Sequence, residues 1–101
     1  YLNDGIYHSL SEAVTGGLSY PMRLLRADHR DAAPGRPFTL YGPTCDSTDV
    51  LPGYTILPGD IREGDWIEIG QLGAYSNAVA TRFNGIFPNR FVTVDSPPLL
   101  P

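Results

Sequence analysis

The segment over residues 42–49 (GPTCDSTD) holds the side chains best suited to acid–base chemistry. It contains the only cysteine of the chain, Cys45, directly before Asp46. A thiol is a tunable acid, and a carboxylate beside a buried cation accepts a charge-assisted hydrogen bond. Taken alone, the residue types favour a plainer interpretation, in which Cys45 is a small buried apolar residue and Asp46 is a turn or cap residue.

Other chemistries are excluded by the residues that are missing. The 101 residues include seven arginines and no lysine. The chain therefore cannot form a Schiff base with pyridoxal phosphate or a carbonyl substrate, and it has no P-loop lysine. One cysteine excludes an internal disulfide and a cysteine-rich zinc site, and two histidines, His8 and His29, are too few for a convincing metal centre. We predict no metal site.

The charge and hydropathy of the chain weigh against two classes of partner. The formal net charge is -4, whereas nucleic-acid binding requires a basic face. No apolar run approaches the roughly 18–20 residues that span a bilayer. We therefore expect neither a nucleic acid nor a membrane as partner. The single cysteine makes a cytoplasmic location the default expectation.

The spacing of turn residues and apolar runs indicates an all-β domain. Eleven glycines and ten prolines separate short apolar runs, as turns do in β-rich proteins. Ser9 is a possible N-cap of a short helix over 9–15, with Glu12 in a capping-box position. The polar segment 28–35 is typical of a hairpin loop. Strands are predicted over residues 22–26, 36–41, 66–69 and 91–94.

These elements predict about five or six short strands and one short helix, arranged as a small Greek-key-like β-barrel or sandwich. The domain is expected to occupy residues 1–95. Residues 96–101 (SPPLLP) form a proline-rich tail that cannot pair in a sheet and is expected to be a linker or a truncated end.

Four segments together resemble a known family. They are, in order, YLNDGIY, GPTCDSTD, LPGDIREGDWIEIGQLGAY and TRFNG, covering 1–7, 42–49, 57–75 and 81–85. Their order and spacing resemble the C-terminal domain of the fold-type III pyridoxal-phosphate decarboxylases, which act on ornithine, lysine, arginine or diaminopimelate. The resemblance extends from Tyr1 to about Asp95.

The resemblance implies a larger architecture. Family enzymes join this β domain to a β/α barrel, which carries the Schiff-base lysine and most cofactor contacts. Two subunits form a head-to-tail homodimer, and each active site takes residues from both. The lysine absent from this chain would then lie on the barrel. The chain alone is expected to be inactive.

The resemblance also implies a role for five residues. Cys45 and Asp46 match a pair that reaches into the partner subunit's site, where the cysteine handles protonation of the decarboxylated carbon and the aspartate holds the distal ammonium group of the substrate. Tyr75 matches a tyrosine that hydrogen-bonds the cofactor phosphate. Tyr7 and Phe83 match aromatic residues that line the substrate pocket.

Some positions depart from the family pattern. Ornithine-type enzymes carry a second acid where this chain has Gly16, and Glu12 is the only carboxylate nearby. The distal amine would then depend more on Asp46, and the substrate among ornithine, lysine and arginine stays open. His8 stands where glycine is usual, and we expect a surface or pocket-edge histidine. An aspartate after Cys45 favours a basic substrate over diaminopimelate, and Phe83 points the same way.

Three further residues have structural expectations. Trp66 is expected in the core, Asp49 is expected to cap or orient its loop, and Gly73 is expected to let another group approach the backbone closely.

Two other functions compete with the decarboxylase. One is a catalytically inactive homologue that acts as a regulatory or interaction module. The other is a generic small β-barrel binding module, which explains the fold but not the order of the motifs. Retention of Cys45, Asp46 and Tyr75 favours the enzyme, because a regulator needs neither the acid nor the phosphate contact.

Overall fold

The computed structural model describes residues 1–26 and 33–101. Within these ranges, four short strands form two antiparallel pairs. Strand β1 (Met22–Leu25) pairs with β4 (Trp66–Ile69), and β2 (Gly35–Phe38) pairs with β3 (Thr55–Pro58). The two pairs contact each other through β1 and β3.

The helices are short and lie outside the sheets. Helix α1 covers Glu12–Thr15, α2 covers Ala74–Ala78, and a 3₁₀ helix covers Phe83–Gly85. The predicted all-β class is therefore confirmed, as a small sandwich-like domain, and the described residues contain no closed barrel. Two elements beyond the single predicted helix, α2 and the 3₁₀ helix, lie near the C-terminal side of β4. No helix in the described ranges is long and apolar enough to cross a bilayer.

The core is small and consists mainly of leucines. The buried members are Leu10, Leu40, Leu51 and Leu57, and partly buried residues from the strands pack against them, including Met22, Phe38, Ile67 and Ile69. Alternating side chains of a strand point to opposite faces. This alternation explains why Trp66, next to the core-facing Ile67, is 70% exposed, so the expectation that Trp66 lies in the core is wrong.

The predicted strands differ in how well they match the structure. The strands predicted over 22–26 and 66–69 match β1 and β4. The strand predicted over 36–41 corresponds to β2, which begins at Gly35 and ends at Phe38. The predicted hairpin between β1 and β2 is wrong in its pairing, because each strand pairs with a later one. Residues 27–32 of its loop lie outside the described residues.

One strand was missed and one is absent. Strand β3 lies in a segment that contains Pro52 and Pro58, and no strand was predicted there. Residues 91–94 form no strand, because a strand needs hydrogen-bonding partners and no described strand pairs with this segment. Phe91, Val92 and Val94 are each at least 69% exposed.

The N-terminal turn differs from the prediction at two residues. Helix α1 begins at Glu12 with Ser11 as its N-cap, so Ser9 does not start it. The Ser9 backbone N–H instead donates to Asp4 Oδ1 at 3.0 Å. The same turn directs His8 into the interior, where it is fully buried, so the expected surface or pocket-edge position for His8 is wrong.

An ion-pair network joins the end of β1 to the turn before β4. The Arg26 guanidinium lies 2.9 Å from carboxylate oxygens of both Asp60 and Asp65. Hydrogen bonding from Arg26 is the main cause that lowers the pKa of Asp65, with a further bond from the Arg62 backbone N–H. These bonds connect the end of β1 to the turn that precedes β4.

The proline-rich segment 96–101 contains no helix or strand. It packs back on the end of β4, since Gln71 Nε2 donates to the Leu99 carbonyl at 2.8 Å. Its assignment as a linker stays a prediction.

Candidate functional site

The loop over residues 42–49 is built around Asp49, whose side chain is almost fully buried. Asp49 Oδ2 accepts hydrogen bonds from the Thr44 backbone N–H at 3.1 Å and from the Thr44 hydroxyl at 2.6 Å. The Gly42 N–H donates to the Asp49 carbonyl at 2.8 Å, which closes the loop at its base. The predicted role of Asp49 in capping this loop is confirmed.

Two glycines allow the backbone to pack on this carboxylate. A Cβ atom at Gly5 would lie 2.5 Å from Asp49 Oδ1, and one at Gly42 would overlap the Asp49 carboxylate. Real Cβ atoms do not make such contacts, so the loop and the N-terminal turn need glycine at both positions. Asp49 thereby fixes the loop from inside.

Cys45 lies at the exposed tip of this loop with an unusual backbone conformation. Its φ angle is +64°, which is uncommon for a residue other than glycine and costs conformational energy. The residue before it, Thr44, is held by Asp49 and by Asn84, whose Nδ2 donates to the Thr44 carbonyl at 2.7 Å. The interpretation of Cys45 as a small buried apolar residue is wrong, because the thiol is exposed.

The carboxylate of Asp46 is held by Thr48. Asp46 Oδ1 accepts from the Thr48 backbone N–H at 2.8 Å and from the Thr48 hydroxyl at 2.7 Å. These two bonds lower the pKa of Asp46, and the bond from the Thr48 hydroxyl contributes most. Asp46 therefore serves as a turn residue, as its type alone suggested, and it also presents an ionised carboxylate at the surface.

Tyr7 joins this loop to the 3₁₀ helix. Its hydroxyl lies 2.9 Å from Thr48 Oγ1, and its ring stacks on Phe83 with a centroid distance of 4.6 Å. The Tyr7 carbonyl accepts from both the backbone N–H and the hydroxyl of Thr81 at 2.8 Å. The segment that carries Phe83 is thus fixed against the N-terminal turn.

Contacts therefore connect Tyr7 to Phe83 and, through Thr48, to Asp46, and Cys45 adjoins Asp46 in the chain. We call Tyr7, Cys45, Asp46 and Phe83 the acid–aromatic cluster. Three residues that support it were not predicted: Thr44, Thr48 and Asn84. The Asp-x-Thr spacing of Asp46 and Thr48 is a local signal for a side-chain turn and could have indicated Thr48. No local signal indicates Asn84.

Tyr75 lies apart from the acid–aromatic cluster. It is in the first turn of α2 and is 69% exposed, and no contact within the described residues joins its side chain to the cluster. The exposed phenol suits a phosphate contact, because its O–H can donate to a charged oxygen. A Cβ atom at Gly73 would meet no atom within 4 Å, so the space in front of this backbone is open. The residues present fit one contact to pyridoxal phosphate.

The sequence comparison decides the family. The family described as "Pyridoxal-dependent decarboxylase, C-terminal sheet domain" matches residues 1–73. The chain belongs to this family. Within the family domain, the match contains Tyr7, Cys45 and Asp46, whereas Tyr75 and Phe83 lie beyond its end.

Individual relatives extend the similarity to most of the chain. The ornithine decarboxylase of Schizosaccharomyces pombe is 37% identical over 103 residues, covering 95% of this chain and 24% of the relative. The lysine/ornithine decarboxylase of Vibrio vulnificus, solved with cadaverine, superposes with a TM-score of 0.77 at 33% identity, covering 95% of this chain and 25% of the other. Antizyme inhibitor 2 of Xenopus laevis is 35% identical over 88 residues, covering 84% of this chain and 18% of the relative.

The chain spans about a quarter or less of the length of these relatives. The family and the fold of this domain are thus shown. The activity and the substrate belong to a whole enzyme, and they are taken up as proposals.

Proposed function

We propose that this chain is the C-terminal domain of a pyridoxal-phosphate decarboxylase of a basic amino acid, of the ornithine/lysine type. It supplies an acid and a substrate-binding carboxylate to an active site at the interface of a cytoplasmic homodimer. One observation carries the proposal: the exposed thiol of Cys45, in a strained conformation, adjoins an Asp46 carboxylate whose pKa is lowered. Strained residues beside tuned charges are typical of functional sites.

Pyridoxal phosphate, when bound, would supply an electron sink for the decarboxylation. The lysine that holds it covalently lies outside this chain, on the barrel domain that we propose for the whole enzyme. Tyr75 would donate its O–H to the phosphate.

The remaining groups act on the substrate. Asp46 accepts hydrogen bonds from the distal ammonium group, and its lowered pKa keeps it negative near neutral pH. The stacked rings of Tyr7 and Phe83 flank the alkyl chain. The Cys45 S–H gives its proton to the carbon that has lost CO2, and the resulting thiolate regains a proton from solvent.

The distal amine depends more on Asp46, because Gly16 stands where ornithine-type enzymes carry a second acid. Gly16 is the C-cap of α1, and it brings no charge to the position where an acid was expected. Glu12, the nearby carboxylate, lies in the first turn of α1 and adds to the raised pKa of Tyr20, for which burial is the larger cause. A single carboxylate is compatible with ornithine, lysine or arginine.

A regulatory module is the second candidate. It is supported by the similarity to antizyme inhibitor 2, whose name describes an inhibitor rather than a decarboxylase. The exposed Cys45 and the exposed Tyr75 favour the enzyme, because neither side chain contributes to the buried core of the domain.

Turnover by the whole polypeptide distinguishes the two candidates. We expect CO2 release from ornithine or lysine, with arginine as the third substrate tested.

The isolated 101-residue chain should neither decarboxylate nor bind the cofactor covalently, since it has no lysine. In the whole enzyme, Cys45→Ala should slow diamine formation relative to CO2 release. A whole polypeptide that binds the cofactor and releases no CO2 from any of the three would support the regulatory module.

A further inference from the structure

Thr48 lies between the two polar groups of the acid–aromatic cluster. Its hydroxyl contacts both Asp46 Oδ1, at 2.7 Å, and the Tyr7 hydroxyl, at 2.9 Å. A second bond, from the Thr48 backbone N–H at 2.8 Å, ends on the same carboxylate oxygen. No bond from Thr48 ends on Asp46 Oδ2.

The proton inventory assigns a direction to these contacts. A threonine hydroxyl has one proton, and an ionised carboxylate only accepts. Thr48 therefore donates to Asp46, and the Tyr7 hydroxyl must donate to Thr48. With its proton used in this way, the Tyr7 oxygen presents only lone pairs to a bound ligand. Tyr7 and Asp46 are then both acceptors, which is what an ammonium group with three donors requires.

We propose that Thr48 is a positioning residue for substrate recognition, which fixes the Asp46 carboxylate and turns the Tyr7 hydroxyl into an acceptor for the distal ammonium group. This inference rests on the proposed function. Thr48 is exposed and contributes little to the core, so its hydroxyl acts mainly through Asp46 and Tyr7.

Thr48→Val is the matched test, because valine has a similar shape, keeps the backbone N–H and lacks the hydroxyl. Thr48→Ser retains the hydroxyl. Thr15→Val is the distant control, since Thr15 is exposed on α1 and its hydroxyl donates to the Ser11 carbonyl at 3.3 Å. Two measurements on the whole enzyme are compared: calorimetric binding of putrescine or cadaverine, and the separate values of KM and kcat.

We expect Thr48→Val to weaken diamine binding and raise KM by about five- to tenfold, as loss of a hydrogen bond to a charged group does, with kcat nearly unchanged. The acid limb of kcat/KM should move to higher pH, because loss of this bond raises the pKa of Asp46. Thr48→Ser and Thr15→Val should stay within about twofold of the unsubstituted enzyme.

Three results would overturn the inference. Thr48→Val could match the unsubstituted enzyme, Ser and Val could be equally impaired, or the only change could be a lower Tm. If the unsubstituted enzyme is active and Thr48→Val has no effect, the inference alone fails. If the unsubstituted protein neither binds a diamine nor releases CO2, the proposed function fails and the inference with it.

Discussion

The rings of Tyr7 and Phe83 stack with centroids 4.6 Å apart and planes 28° from parallel. The contact joins the first turn of the domain to the 3₁₀ helix near its end, and two hydrogen bonds from Thr81 to the Tyr7 carbonyl reinforce it. Because Tyr7 also contacts Thr48, the stack fixes one wall of the acid–aromatic cluster.

Phe83→Ala should loosen this wall. Aromatic pairs contribute about 0.5–1.5 kcal/mol beyond the area they bury, so KM of the whole enzyme should rise by about two- to tenfold. Phe91→Ala is the control, because Phe91 is 70% exposed and lies outside the cluster. Steady-state kinetics check the prediction, and equal KM values for the two variants would argue against a pocket role for Phe83.

Gly42→Ala should destabilise the domain. The added Cβ would overlap the buried Asp49 carboxylate, and such overpacking costs about 1–3 kcal/mol. Gly73→Ala is the matched control, because its Cβ would meet no atom within 4 Å and its φ angle is -99°. Urea unfolding of the chain measures both, and an unchanged free energy for Gly42→Ala would show that the loop does not pack as described.

Asp65→Asn should remove part of the acid sensitivity of folding. The pKa of Asp65 is lowered in the folded chain, mainly by hydrogen bonding from Arg26, so the carboxylate stabilises the fold above its unfolded pKa of about 3.9. That stabilisation is lost as pH falls through the folded pKa. Unfolding free energies of the two proteins should therefore differ at neutral pH and converge in acid. Exposed Asp95→Asn serves as control, and a pH-independent difference for Asp65→Asn would contradict this account.

Tyr75→Phe should weaken retention of pyridoxal phosphate by the whole enzyme without destabilising the domain. Loss of one hydrogen bond to a charged phosphate should weaken cofactor binding by about tenfold. Tyr54→Phe is a matched control, since Tyr54 is 71% exposed and Tyr75 is 69% exposed. Cofactor dissociation during dialysis provides the measurement. If both variants lose the cofactor equally, or if neither loses it, Tyr75 does not bind the cofactor phosphate.

The strands were predictable where local pattern and tertiary pairing agree. The segments MRLL and WIEI are short apolar runs bounded by turn residues, and they became β1 and β4. Strand β3 was missed because its segment is rich in proline, although Pro58 occupies the end of the strand, where a missing N–H is tolerated. The segment 91–94 has strand-like residues and no partner within the described chain.

The residues of the acid–aromatic cluster were predictable from the order of the motifs. Of the three residues that support the cluster, only Thr48 could have been predicted. The resemblance indicated Tyr7, Cys45, Asp46 and Phe83. The contacts that join Tyr7 to Phe83 and, through Thr48, to Asp46 depend on the fold. Thr48 could have been found from its spacing to Asp46. The bond from Asn84 to the Thr44 carbonyl joins residues far apart in sequence, so no local pattern could reveal it. The burial of His8 likewise depends on how its turn packs on the core.

The central proposal is tested most directly by mixing two variants of the whole enzyme that each form little diamine, and then measuring diamine formation. One variant carries Cys45→Ala, and the other replaces the Schiff-base lysine of the barrel domain. If each domain serves the partner's site, a heterodimer contains one intact site, and an equal mixture should regain about a quarter of full activity after subunit exchange. No regained activity, although heterodimers form, would contradict the claim that Cys45 acts across the subunit interface.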